Sequence, residues 1–120
     1  MENSVNKLRA AALLAPAVMR ECIGRINQFS LSCDSYADPT VCLITAFEAL
    51  DFREKVMIGM RLGFDYANDY QPTAPHKYID LATAFEMTAP ESASKICRKA
   101  YHKIARMVME NPDYCTGLQR

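Results

Sequence analysis

The run Thr88-Ala89-Pro90-Glu91 constrains this chain more than any other stretch. Thr88 can cap a helix through its hydroxyl, and Glu91, three residues on, can reach back to the N–H of Thr88. Pro90 falls in the first turn, where its missing N–H costs no hydrogen bond. A helix is therefore expected over residues 90 to about 109. Upstream, residues 77–85 read KYIDLATAF, which places Ile79, Leu81, Ala82 and Phe85 on the buried side of a shorter helix. Two helices joined by a turn of a few residues make a helix-turn-helix outline. Its expected centre is Ile79, Ala82, Phe85, Met87, Ile96 and Ala100.

The rest of the chain keeps to helical spacings. Ser4 can cap a first helix, along which Val5, Leu8, Ala12, Ala15, Met19, Cys22 and Ile26 recur at alternating spacings of three and four. Pro16 is expected to kink or divide that helix. The stripe can pack on the rest of the domain or pair with another chain as a homodimer; packing within the chain is the expectation. Residues 29–37 have no clean period and read as a connector. Asp38-Pro39 opens a helix over residues 39–50, burying Val41, Leu43, Ile44 and Phe47. Asp51 and Glu54 form a second capping box for a helix over residues 52–62, with Phe52, Val56, Met57 and Met60 inward and Gly63 to end it. Residues 64–76, FDYANDYQPTAPH, read as a loop in which Pro72 and Pro75 forbid a regular helix. Asn111-Pro112 breaks the last helix, and no alternating run argues for a strand. The expected fold is all-α: an N-terminal helical extension (1–37), a small helical domain ending in the helix-turn-helix (38–110), and a loose tail (111–120).

With 120 residues, half of them apolar, the chain can bury a core of its own. Lys plus Arg and Asp plus Glu are both 14, which argues against strong indiscriminate nucleic-acid binding. The distribution is uneven: residues 95–106 hold five basic residues and no acidic one, whereas residues 48–69 hold five acidic and three basic ones. Five cysteines without C-x-x-C spacing read as thiols in a reducing cytosol, and neither a disulfide framework nor a metal site is expected. The apolar run of residues 10–19 is too short to span a bilayer and contains Pro16, so a cytoplasmic protein without a membrane segment is expected. Two histidines, four glycines and no nucleophile-elbow serine or paired carboxylates leave no enzyme reading and no cofactor.

Residues 49–70, ALDFREKVMIGMRLGFDYANDY, resemble the start of region 4 of bacterial primary sigma factors, the subunits that give RNA polymerase its promoter specificity. In that family a leucine, a short cap and an Arg-Glu pair open a helix that closes on arginine, an apolar residue and glycine. Here Leu50, Arg53, Glu54, Arg61, Leu62 and Gly63 stand in those places, followed by Phe64, Asp65, Asp69 and Tyr70. The family's turn corresponds to Phe85, Glu86, Met87 and Thr88, and its closing basic run resembles Ile96, Lys99, Ala100, Tyr101, His102, Lys103 and Ile104. The loop before the scanning helix is longer by about six residues, QPTAPH, and the arginines that open the family's recognition helix are replaced by Ala89, Pro90, Glu91, Ser92, Ala93, Ser94 and Lys95.

The resemblance implies a DNA-binding transcription regulator acting on double-stranded DNA. Base readout falls to donors and acceptors in the first half of the second helix: Ser92, Ser94, Lys95 and Arg98. Lys99, His102, Lys103 and Arg106 are expected at phosphates or on the solvent face. The alternatives are an adaptor that binds RNA polymerase or a sigma factor, through Arg53, Glu54 and Arg61, and a helical dimerisation module without DNA binding.

Overall fold

The computed structural model describes the backbone of residues 2–21 and 39–110 and the side chains of residues 5–21 and 43–108. Among these residues there are five α-helices: α1 Glu2–Glu21, α2 Pro39–Glu48, α3 Phe52–Leu62, α4 Tyr78–Ala84 and α5 Pro90–Glu110. The expectations for Val41, Cys22, Ile26, the connector and the tail fall on residues or side chains outside this description. None of the described helices is long and apolar enough to cross a membrane.

Helix α5 is the axis of the fold and packs against each of the other four helices. Its buried residues are Ala93, Cys97, Ala100, Tyr101, Ile104, Ala105 and Val108. Three of these are alanines, small enough for neighbouring backbones to approach closely. Leu43, Ile44 and Phe47 of α2 and Met57 and Ile58 of α3 complete the centre. Phe52, expected inside, is 62% exposed, and Val56 and Met60 are only partly buried.

Helix α1 belongs to the same core, but by a different face from the one expected. Ala10, Ala11, Leu14, Ala17 and Val18 are buried, whereas Val5 is 65% and Leu8 57% exposed, Ala12 is exposed, and Ala15 and Met19 are partly covered. The helix carries apolar residues on two sides, and the more regular stripe is the outer one. Nor does Pro16 divide it: the helix runs unbroken from Glu2 to Glu21, with Pro16 on the exposed side. Leu14 before the proline and Ala17 and Val18 after it are buried, so tertiary packing holds both halves in place against the local cost of the proline. Arg9 Nη1 donates to Gly63 O at 2.7 Å and Asn6 Nδ2 to Asp69 O at 3.1 Å, tying α1 to the loop after α3.

Helix α3 starts and stops where its sequence signals lie. The N–H of Asp51 donates to Glu54 Oε1 at 3.1 Å, the back-reaching half of a capping box. Gly63, at φ 108°, closes the helix with its N–H on Gly59 O at 2.8 Å. The stretch after it was expected to contain no strand. Instead Phe64–Asp65 (β1) and Gln71–Pro72 (β2) form a two-residue antiparallel pair, Phe64 opposite Pro72 and Asp65 opposite Gln71. So short a pair leaves no alternating pattern to read. It is set by the turn between its arms, where Asp69 and Tyr70 take left-handed φ values of 56° and 60°. Aromatic rings hold the hairpin down: Phe47 meets Phe64 and Tyr66 edge-on at 5.5 and 5.6 Å, and Phe64 stacks on Tyr70 at 5.7 Å.

Helix α4 ends in a Schellman turn. The N–H of Met87 donates to Ala82 O at 2.7 Å and that of Glu86 to Thr83 O at 3.2 Å, with Glu86 left-handed at φ 57°. Leu81 and Ala82 are buried, Phe85 and Met87 are half-buried, and Ile79, expected inside, is 51% exposed. Helix α5 begins at Pro90, which gives the cap position to Ala89, one residue later than expected. No Thr88–Glu91 box is present among the described hydrogen bonds; the N–H of Ser92 bonds to Ala89 O at 3.1 Å.

Candidate nucleic-acid interface

Four helices cover one side of α5, and the residues expected to meet DNA lie on or beside what is left. Lys95, Lys99, His102 and Arg106 fall at spacings of four, three and four, one exposed stripe opposite Cys97, Ile104 and Val108. Arg98 and Lys103 are exposed on its two flanks, while Ser92 and Ser94 are half-buried beside the turn. The stripe arises because the buried residues of α5 follow the helical period of its own inward face.

The two flanking cations are engaged within the protein. Lys103 Nζ donates to Glu54 Oε2 at 2.7 Å, and Arg98 Nε lies 3.7 Å from Glu21 Oε1. The Glu54 carboxylate is buried, and its two oxygens are divided between the N–H of Asp51 and Lys103. A residue expected at polymerase and a residue expected at phosphate thus bind each other and clamp α3 to α5. Arg61 is also engaged internally. Its Nη1 donates to His76 O at 3.1 Å and its guanidinium lies 4.2 Å from the centre of the Tyr78 ring. That contact fastens the end of α3 to the loop leading into α4. Of the three residues proposed for polymerase, Arg53 is the one fully on the surface.

Beside Arg106 and Lys103 an open cleft of about 290 Å³ runs between α5 and the start of α3, with Leu50, Asp51, Glu54 and Met107 in its walls. The residues of this cleft come from two helices and the turn before α3, and no local pattern announces it. The Glu54–Lys103 clamp likewise spans 49 positions. Among the described residues no ion pair forms at Lys95 or Lys99. The arrangement can therefore present Lys95 and Lys99, about 6 Å apart along the axis given 1.5 Å of rise per helical residue, to an anionic surface. No protein-family model, curated protein or solved structure matches the chain.

Proposed function

We infer that this protein is a DNA-binding transcription regulator that lays α5 against duplex DNA. The observation that carries this reading is the Lys95, Lys99, His102, Arg106 stripe, exposed along a helix with no acidic residue between its ends. Lys99 and Arg106 serve as phosphate contacts. Bases are read near the start of α5 by Ser92, Ser94, Lys95 and Arg98. Glu91 lies at that end of the helix, so the negative charge there tempers affinity and favours the C-terminal half as the phosphate anchor. The sigma region 4-like order of Leu50, Arg53, Glu54, Arg61, Leu62, Gly63 and the later turn supports the same class. Zero net charge implies modest affinity for the isolated protein, with a second contact from RNA polymerase or another copy.

Duplex binding measured by fluorescence anisotropy across a salt series tests this reading. Binding should weaken steeply with salt, and Lys99→Ala should lower the logarithmic salt slope by about one, nearly equally for all sequences. Absence of salt-sensitive binding, alone or with polymerase, would remove the DNA reading. If Arg53→Ala then abolished function in cells, the polymerase- or sigma-binding adaptor would stand in its place.

A further inference from the structure

We propose that the Glu21 carboxylate of α1 restrains DNA binding by holding back Arg98 of α5, an inference that rests on the DNA-binding reading above. Arg98 Nε lies 3.7 Å from Glu21 Oε1, within ion-pair range but too far for a hydrogen bond. The carboxylate sits deeper than its partner: the Glu21 side chain is 27% exposed and that of Arg98 56%. Helix α1 packs on α5, and Leu14, Ala17 and Val18 are buried, so the backbone that carries Glu21 is fixed beside the helix that meets DNA. Of the two cations in the base-reading set, Arg98 is paired with a carboxylate and Lys95 forms no ion pair among the described residues.

The two flanks of α5 hold their cations differently. Lys103 Nζ meets Glu54 Oε2 at 2.7 Å, and the Glu54 side chain is 9% exposed. Releasing Lys103 would strand a buried carboxylate, so this lysine stays on its partner. At Arg98 the contact is longer, and Glu21 is open enough for water to replace the guanidinium. The planar fork of Arg98 can make two parallel, charge-assisted bonds to guanine O6 and N7, both shorter than the contact it gives up. A site with guanine in reach therefore wins the exchange, at the cost of the lost ion pair. An exposed pair of this kind weakens binding by about twofold to fivefold. A site without such an acceptor leaves Arg98 on Glu21, so the same carboxylate sharpens the choice between sites.

Fluorescence anisotropy of the full chain, on the duplex it selects from a random-sequence pool, tests the restraint. Glu21→Gln and Glu21→Ala should each bind about twofold to fivefold more tightly than the wild type, with its circular dichroism spectrum. Arg98→Ala should weaken the Glu21→Gln protein by about twofold to fivefold more than it weakens the wild type, because only there is the arginine released from its partner. An equal effect of Arg98→Ala in both backgrounds overturns the proposal, since Glu21 would then act on DNA only as a distant like charge. Unchanged affinity in both Glu21 variants overturns it too, and binding by the wild type then leaves the DNA-binding reading in place. If neither the wild type nor the variants show salt-sensitive binding to the pool, that reading falls and the restraint falls with it.

Discussion

Glu54 shows how a single residue can carry a different role from the one its neighbours suggest. Its place in the Asp51 cap is local, but its other oxygen takes Lys103 at 2.7 Å, and the carboxylate is only 9% exposed. A carboxylate so placed needs both donors. Lys103→Ala should therefore cost about 1–2 kcal/mol of folding stability, a figure reduced because the lysine itself is half exposed. Chemical denaturation of Lys103→Ala, Glu54→Gln and the double variant checks this. The double variant should lose less than the sum of the singles, whereas strict additivity would mean that the pair is not coupled. Because Lys103 is held by Glu54, Lys99 is the cleaner probe of the proposed DNA binding.

Between α4 and α5, backbone geometry matters more than side-chain chemistry. The Schellman turn needs a left-handed residue, and Glu86 fills that place at φ 57°. A side chain with a Cβ is strained there, and glycine is not. Glu86→Gly should raise unfolding free energy by about 0.5–1 kcal/mol, read as a higher urea midpoint with an unchanged m-value. A lower midpoint would show that the glutamate side chain makes a compensating contact. The opposite substitution pattern applies at Gly59, where an added Cβ would come within 2.5 Å of the Phe64 carbonyl oxygen. The close approach of the hairpin to α3 requires glycine there.

Across the whole molecule the core holds protons that the unfolded chain releases. Burial pushes the Cys97 thiol up to about 12, against a smaller opposing effect of Arg61. Burial also raises the Tyr70 and Tyr101 phenols, and Tyr70 donates to Glu48 Oε2 at 2.8 Å, which favours its protonated form further. Unfolded cysteine and tyrosine titrate near about 8.5 and 10. Above those values the unfolded state loses protons that the folded state keeps, so stability falls as pH rises and is fully present below about pH 8. The urea midpoint should therefore drop from about pH 8.5 upward, and Cys97→Ala should flatten the first part of that fall. A midpoint that climbed over this range would contradict the burial of all three groups.

The sequence by itself determined where most helices begin and end. Asp51 with Glu54, Gly63, and Pro39 and Pro90 at helix starts act within about one turn, and nothing distant is needed to place them. It also marked Leu43, Ile44, Phe47, Met57, Leu81 and Ala82 as core, because each sits on a helix with one apolar side. Only the tertiary structure decided which of two apolar faces α1 buries, and it chose Leu14 and Val18 over Val5 and Leu8. It likewise left Ile79 in solvent, paired Phe64–Asp65 with Gln71–Pro72, and gave Lys103 to Glu54 rather than leaving it on the outer stripe. The physical reason is range. Caps and breakers depend on neighbours within a few positions, while the facing of an element and the partner of a charge depend on groups brought together only when α5 is enclosed by the other helices.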